Sequence, residues 1–482
     1  GRIGFFETYD PTQGGESTRL LASARVTSGP NRALLDNTFW LGTRSMRLRQ
    51  NFTGFLVPFE SEDEGTVYLG DLQEGRYEVL TTGARGSYTL GTEVNTRYQE
   101  LSVGYSARRD SGRTELVRLR DRLDVPYLRD FDRTFDITNI SGWVRGQSEL
   151  TSWLILRGGV RLDTFQFNIR DLTLPEADTD GTRLTEQTIA SGGAAINPRV
   201  SGVIRLAEDL RLSVAYGRGT RSTDAAALSE SEEAPFATSE QVETGFKWHW
   251  HGEERVLTLQ GSYVYAQVER DIIFDPGAGR NVLIGESWRH AVLFQGRLTE
   301  QERFDLLANV GWARAMTEER DPTSLDFGEE VLLPYLPQLI ARLDGTYRHP
   351  FGVRVGRVPL ALRVSANFTY VPGRPLPLGE TGDPFALVGG SVELELWHTT
   401  LRLEGRNLLD QRYRQSEFNY PSRFDRTLPL PASGTPRSER HFVAGEPLFV
   451  MASVELALSK IFGFGEAPPP ADSKSPPSTQ GP

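Results

Sequence analysis

Cysteine is absent from this chain of 482 residues, and only three residues are lysines: Lys247, Lys460 and Lys474. Without thiols, the chain has no disulfide framework, no thiolate metal site and no cysteine nucleophile. The absence also suits a protein that crosses an oxidising compartment, where stray disulfides would form. Arginine carries nearly all of the positive charge.

Long hydrophobic runs are missing as well. Hydrophobic residues make up 38% of the chain, and no stretch approaches the roughly 18 consecutive apolar residues that a transmembrane helix needs. A helical membrane protein is therefore excluded. The net charge of -11 argues against nucleic-acid binding, which requires a basic surface. No targeting signal can be identified at the first residues.

What the sequence does contain is strict two-residue alternation. From Leu360 to Tyr370 the even-numbered residues are apolar or aromatic, whereas Arg363, Ser365 and Asn367 lie on the other face. Successive side chains of a strand point to opposite faces, so this pattern predicts strands with one apolar and one polar face. No helical period, heptad or solenoid repeat is visible.

The length of the alternating runs decides between soluble and membrane β-structure. Soluble strands usually have about 5–6 residues, whereas strands that span a membrane barrel need about 9–11. About nineteen runs are found, many of about ten residues or more, which predicts an all-β, transmembrane antiparallel β-barrel. The runs cover approximately residues 2–7, 17–26, 33–40, 45–56, 76–88, 97–108, 134–145, 152–168, 195–206, 210–220, 240–250, 255–270, 288–298, 304–317, 336–348, 358–370, 386–396, 399–409 and 444–459.

The connections alternate in length. Short ones at 207–209, 251–254 and 397–398 are interleaved with long polar ones such as 410–441, as expected for periplasmic turns and extracellular loops. A two-residue turn at 397–398 predicts that Leu394 pairs with Leu401, Val392 with Leu403, and Glu393 with Arg402. Aromatic residues near strand ends, including Trp248, Trp250, Tyr263 and Tyr265, predict girdles at the membrane borders.

The order of several short motifs resembles the β-barrel domain of TonB-dependent outer-membrane receptors. Gly159, Arg161 and Asp163 close a hairpin that is similar to the mid-barrel hairpin of the family. The other matching stretches are NISGW at 139–143, NPRVS at 197–201, LSVAYGRGTR at 212–221, SEQVETGFK at 239–247, GRNLLDQRY at 405–413 and FVAGEP at 442–447. Each motif is short, but together they extend over nearly the whole chain.

The resemblance implies a plug domain and a TonB-contacting motif, neither of which is found in residues 1–464. If the chain ends in the periplasm, the last strand runs inward, toward the periplasm. Because successive strands alternate in direction, the first of nineteen strands then also runs inward. An odd number of strands would then be missing, and about three more would give the 22 of plugged transporters. We therefore expect the plug and about three strands upstream of Gly1. Residues 465–482 are rich in Pro and Ser and predict a disordered periplasmic tail.

Five residues near strand ends or in loops are candidates for ligand binding: Arg218, Arg221, Trp288, Tyr420 and Arg423. Arginine offers a planar fork to carboxylates, and aromatic rings offer stacking surfaces. Ordinary loop packing and charge pairing inside the barrel would explain the same residues.

The sequence gives little support for a metal site or for a catalytic site. His249 and His251 have a spacing that could place two imidazoles on one strand face, but no third ligand is apparent, so we predict neither a metal nor a cofactor. Acidic clusters at residues 60–64 and 230–233 are interpreted as solvated loop charge. No hydrolase, zinc-protease or phosphate-loop motif is present, so we do not expect an enzyme.

Three functions fit a barrel of this kind. The first is an energy-coupled receptor that takes up a scarce ligand such as a ferric siderophore, cobalamin or a glycan, using the TonB complex. The others are a passive porin and an adhesin or signalling receptor. The length of the loops favours the first. We expect a monomer in the bacterial outer membrane, in contact with lipid and lipopolysaccharide, that binds a small molecule and no nucleic acid.

Overall fold

The computed structural model describes residues 4–30, 32–61, 65–172, 188–222, 236–275, 280–301, 303–317, 331–355, 358–396, 398–425 and 438–457. The predicted tail at 465–482 lies outside these ranges. Within them, no helix is long and apolar enough to cross a membrane. Almost all regular structure is β-strand, and the exception is a short 3-10 turn at Pro377–Gly379.

The strands in the first half are β1 (Gly14–Ser28), β2 (Ala33–Gln50), β3 (Phe59–Ser61), β4 (Gly65–Val67), β5 (Leu72–Val94), β6 (Arg97–Leu119), β7 (Pro126–Glu149), β8 (Leu154–Asp171), β9 (Thr188–Arg205), β10 (Leu210–Ser222) and β11 (Phe236–His251). Those in the second half are β12 (Arg255–Asp275), β13 (Arg280–Glu300), β14 (Phe304–Thr317), β15 (Val331–Leu332), β16 (Leu339–Val355), β17 (Val358–Val371), β18 (Phe385–Leu396), β19 (Thr399–Arg406), β20 (Arg414–Pro421), β21 (Ser438–Ala444) and β22 (Phe449–Leu456).

Eighteen of these strands form one sheet, in which each long strand pairs antiparallel with the next long strand along the chain. The exceptions to the meander are two small hairpins, β3–β4 and β20–β21, which lie in connections. Among the described residues, β1 pairs only with β2, and β22 pairs only with β19. The predicted all-β antiparallel architecture is therefore confirmed.

The sheet has two fewer long strands than the nineteen predicted runs. Residues 33–40 and 45–56 were expected to be two strands, but Gly42 and Thr43 between them stay paired with Thr81 and Leu80, so β2 is continuous. Residues 4–7 form a turn, in which the Glu7 N–H donates to the carbonyl oxygen of Gly4 at 3.0 Å. With β15 set aside, seventeen long strands remain in the sheet.

The two ends of the sheet differ as predicted. Connections at one end are short, for example 95–96 and 252–254, whereas those at the other end include 51–71, 372–384 and 407–448. The register predicted for the 397–398 turn is confirmed, because Leu394 pairs with Leu401, Val392 with Leu403 and Glu393 with Arg402. Trp397 itself lies outside the described residues.

The outer face of the sheet is apolar. Paired residues across β5 to β8 form one row of large side chains, of which Val103, Val144 and Val160 are each at least 40% exposed. A sheet face of this kind is stable in lipid, where burial of the row gains about 25 cal/mol per Å² of apolar area. Near the short turns, Trp248 lies on the same face and donates its Nε1 hydrogen to Asp209 Oδ2 at 2.9 Å, consistent with the predicted girdle.

Candidate ligand-binding site

A split in the sheet creates a recess between β9 and β10. Pairing between these strands ends at Arg199 and Gly217, although β9 continues beside β8 and β10 continues beside β11. The break falls at Pro198, which has no N–H to donate to a neighbouring strand. The recess has a volume of about 390 Å³. It is lined by residues from both faces of the sheet, since Val144 and Val160 belong to the outer apolar row: Asn139, Trp143, Val144, Val160, Arg161, Asp163, Phe165, Asn197, Arg199, Arg218, Gly219 and Thr220.

A buried carboxylate organises one wall of the recess. Asp163 is 4% exposed, accepts a hydrogen bond from Arg161 Nε at 2.9 Å and accepts another from Asn197 Nδ2 at 2.8 Å. Asn197 Nδ2 also lies 3.3 Å from Thr220 Oγ1. These contacts orient the Asn197 amide, because only its nitrogen can donate to a carboxylate.

The rest of the lining carries positive charge and aromatic surface. Arg161 is compensated by Asp163, whereas Arg199 forms no ion pair with any described residue. Arg218 is paired loosely with Glu240, with 3.8 Å between Nε and Oε1. Trp143 and Phe165 also line the recess, and the guanidinium of Arg145 lies 5.2 Å from the centre of the Trp143 ring.

The motifs that carried the family resemblance converge here. Trp143 belongs to the first stretch, Arg161 and Asp163 to the closing hairpin, Asn197 and Arg199 to the second, and Arg218 to the third. These residues come from four neighbouring strands. Their proximity could not be read from any one motif.

A second cluster ties the long connections together at the opposite end from the short turns. Glu417 in β20 is 1% exposed and accepts a hydrogen bond from Arg414 Nη1 at 2.8 Å and another from the Asp383 N–H. Arg374 donates from Nη2 to the Gln415 carbonyl oxygen at 2.8 Å, and its burial lowers its pKa. The β20–β21 hairpin is thereby fixed to the 372–384 connection.

Two predicted site residues lie in this hairpin, Tyr420 in β20 and Arg423 in the connection that follows β20. Tyr420 is 8% exposed, and its ring stacks on His441 with 4.2 Å between centroids. Burial raises the pKa of Tyr420 and lowers that of His441 to about 4. The Arg423 guanidinium lies 5.0 Å from the centre of the Tyr68 ring, and its backbone N–H donates to the Thr53 carbonyl oxygen at 2.8 Å.

The structure thus separates the five predicted residues. Arg218 lines the recess, while Tyr420 and Arg423 join the 51–71 and 407–448 connections to each other. Arg221 pairs through its backbone with Ala237, and its side chain lies outside the described parts of the chain. Trp288 pairs with Gln267 and points to the outer face, on the same side of β13 as Val292.

Sequence reasoning missed Trp143, Phe165, Asn197 and Arg199 as candidates. The available signal was a proline inside a predicted strand, because Pro198 interrupts a ladder that alternation alone predicts to continue.

The two candidate histidines contact each other rather than a ligand set. The ring centroids of His249 and His251 are 6.2 Å apart, and His249 Nδ1 lies 3.1 Å from Thr258 Oγ1. No group of three His, Asp or Glu residues suited to a metal occurs in the ranges that the structure describes. Of the acidic clusters, residues 62–64 and 230–233 lie outside those ranges, and Glu60 accepts a hydrogen bond from Thr66 Oγ1 at 2.7 Å.

One known protein family matches most of the chain. The family described as TonB dependent receptor-like, beta-barrel matches residues 2–408. The chain belongs to this family, whose members are proteins of the Gram-negative outer membrane. No curated protein sequence matches the chain.

Solved structures share the fold at low sequence identity. The ferric-catecholate import receptor Fiu from E. coli K12, in its closed form, is 13% identical with a TM-score of 0.67, over 92% of this chain and 65% of that one. The ferric citrate transporter FecA is 12% identical with a TM-score of 0.65, over 92% and 62%. The siderophore receptor PiuA from Acinetobacter baumannii is 13% identical with a TM-score of 0.63, over 92% and 65%. The chain therefore spans less than two thirds of the length of these receptors.

Proposed function

We propose that the chain is the barrel part of an energy-coupled outer-membrane receptor that takes up a scarce ligand such as a ferric siderophore, cobalamin or a glycan. The observation that carries the proposal is the match to the receptor family over residues 2–408. The similar structures Fiu, FecA and PiuA are an import receptor for ferric catecholates, a ferric citrate transporter and a siderophore receptor. Long, interlocked outer connections suit ligand capture better than free diffusion.

The proposal includes a plug domain and further strands upstream of Gly1. Seventeen long antiparallel strands place β1 and β22 in the same direction, so an odd number of strands is needed to join them. About five would give the 22 strands of plugged transporters, in place of the three expected from nineteen runs. The TonB complex would act on the plug to open a path through the lumen.

The other proposed partners follow from a location in the outer membrane. Lipid and lipopolysaccharide surround the apolar outer face, and the receptor is a monomer. We propose no enzymatic activity and no cofactor. The five residues Arg218, Arg221, Trp288, Tyr420 and Arg423 remain candidates for contact with ligand. Arg218 lines the recess, although it lies on the same outward-facing cross-strand row as Trp288.

Growth and uptake tests of a deletion strain examine the proposal. The strain is supplied with a panel of ferric siderophores, cobalamin and oligosaccharides, each at a concentration that limits growth. We expect loss of uptake of one ligand, restored by the full-length gene in a strain with TonB and not in one without it. Normal growth on every ligand of the panel would contradict the proposal.

A passive porin is the main alternative. The gene would then encode no plug, and the purified protein would give a stable open-channel conductance in planar bilayers. The receptor proposal predicts a closed channel in the full-length protein.

A further inference from the structure

We infer that a group of cations on the inner face of β8 to β11 binds a small ligand that carries several negative charges, such as a polycarboxylate, inside the barrel. We call this group the cationic basin, and it consists of Arg157, Arg199, Arg205, Arg211 and Lys247. The inference names a ligand class for the proposed receptor function and rests on that function for the passage of the ligand. Binding at equilibrium tests it without any transport step.

Three members of the cationic basin lie side by side in one cross-strand row near the short turns. Arg211 in β10 lies directly opposite Arg205 in β9 on one side and Lys247 in β11 on the other. Val160, in the outer apolar row, pairs with Pro198, and Arg205 lies an odd number of residues from Pro198, so the row faces the inside of the barrel. Like charges directly opposite each other are unfavourable on a sheet, and a bound anion relieves their repulsion.

Few carboxylates compensate the charge of the basin. Arg205 lies 3.6 Å from Glu149, and the other four members form no ion pair among the described residues. Glu243 is the second carboxylate on this part of the inner face, while Asp209 in the adjoining turn accepts a hydrogen bond from Trp248 on the outer side. The inner wall of β17 to β19 differs, because each of its arginines pairs with a glutamate. The basin therefore keeps an excess of positive charge.

The wall between the cations leaves room for a ligand. Arg199 lies six residues from Arg205 in β9, which corresponds to about 20 Å along the strand, and neighbouring strands are about 4.8 Å apart. Most inner-face positions between these two levels carry small residues: Ser201, Ser213, Ala215, Gly217 and Gly245. Arg157, Arg199, Arg211 and Lys247 are exposed at the edges of this space. Because the row of three lies beside the short turns, the basin belongs to the periplasmic end of the barrel.

The number of charges on the ligand follows from the spacing of the cations. The basin extends over four strands, so one carboxylate cannot contact all of its members, whereas a ligand with two or three carboxylates spans neighbouring strands. Each arginine offers a planar fork to a carboxylate, and Lys247 adds a point charge.

Three acyclic probes differ in the number of carboxylates: propane-1,2,3-tricarboxylate, glutarate and butyrate. Their binding to the purified full-length protein in detergent is measured by isothermal titration calorimetry at low salt. We expect the tricarboxylate to bind, glutarate to bind about tenfold more weakly and butyrate to bind more weakly still, because each step removes a charge-assisted contact. Added salt should weaken the binding of the tricarboxylate, since it screens exposed charges.

A pair of substitutions locates the binding. Arg211→Gln combined with Lys247→Gln removes two adjacent charges and keeps polar side chains, and it is expected to weaken tricarboxylate binding about tenfold or more. The matched control is Arg19→Gln combined with Arg44→Gln. These two arginines also lie directly opposite each other on the inner face, are exposed and form no ion pair among the described residues. The rows on either side of them carry no charge, so the control should bind as the unmodified protein does.

Correct folding is checked for every variant by the heat-dependent mobility of the barrel in gels. If the folded unmodified protein does not bind the tricarboxylate, the inference is wrong, including the case in which another segment of the polypeptide already neutralises the basin. Equal affinity for the three probes, unchanged affinity in the basin variant, or equal weakening in the control would also overturn it. A neutral ligand identified by the growth panel would overturn the ligand class and leave the uptake proposal standing, since that proposal is tested by growth in the presence and absence of TonB.

Discussion

Arg402 and Glu393 lie opposite each other on the inner face of β19 and β18, with 3.0 Å between Arg402 Nε and Glu393 Oε1. Glu393 is 6% exposed and also faces Arg363, whose Nη1 lies 3.5 Å from Oε2. Arg363 in turn contacts Glu395 at 2.9 Å, and Arg348 contacts Glu395 at 2.8 Å. A connected network of three arginines and two glutamates therefore joins β16 to β19.

Replacing Glu393 with Gln should destabilise the barrel, because Arg363 and Arg402 would lose their shared buried carboxylate. We expect a loss of about 1–3 kcal/mol in the free energy of unfolding, measured by urea denaturation of the purified protein. Glu253→Gln in the short 252–254 turn is the matched control, since Glu253 is exposed and forms no ion pair among the described residues. Equal stability of the two variants would show that the network contributes little.

Close packing over a glycine gives a second prediction. The Trp40 ring covers Gly83 on the neighbouring strand, and a Cβ at this position would overlap the ring. We expect Gly83→Ala to displace Trp40 and to lower stability by about 1–3 kcal/mol, with a change in tryptophan fluorescence. Gly142→Ala should have little effect, because the nearest atom to its Cβ lies 3.9 Å away. A stable Gly83→Ala variant with unchanged fluorescence would contradict the packing described.

His441 makes the docking of the β20–β21 hairpin sensitive to pH. Burial against Tyr420 lowers the pKa of His441 to about 4, whereas in the undocked hairpin it would be about 6.5. The undocked form therefore takes up a proton first as the pH falls. Docking should be fully stable above about pH 6.5 and should weaken progressively down to about pH 4, by up to about 3 kcal/mol.

Hydrogen exchange of the hairpin amides at pH 7 and pH 4.5, corrected for intrinsic exchange rates, measures this effect. His441→Gln keeps a polar planar side chain without the titration, so its protection should change much less between the two pH values. An equal loss of protection in both proteins would assign the pH effect to another group.

Much of the fold could be predicted because the determining signals are local. Alternation sets the face of each residue, and the 397–398 turn sets the register of β18 and β19, so the pairing of Glu393 with Arg402 followed from sequence alone. Two predictions about strands were wrong. Residues 33–40 and 45–56 were separated at Gly42, although the strand is continuous there, and the short alternating run at residues 2–7 gave a turn at residues 4–7 in place of a strand.

The site was less predictable because it depends on contacts between distant segments. Trp143 and Arg218 line the same recess only after four strands align, and Pro198 opens the recess by ending a ladder that the alternating pattern continues. Tyr420 looked available to a ligand as a loop aromatic, but its burial depends on the docking of the hairpin and on stacking with His441. Short-range patterns contain no information on such contacts.

Energy-coupled uptake is the central claim, and the initial rate of ligand entry into cells tests it most directly. Cells that express the full-length protein receive the radiolabelled ligand identified by the growth panel, before and after TonB depletion. The receptor account predicts rapid entry with TonB and a rate close to that of the deletion strain without it. An entry rate that is unchanged by TonB depletion would contradict the account and would favour a passive pore.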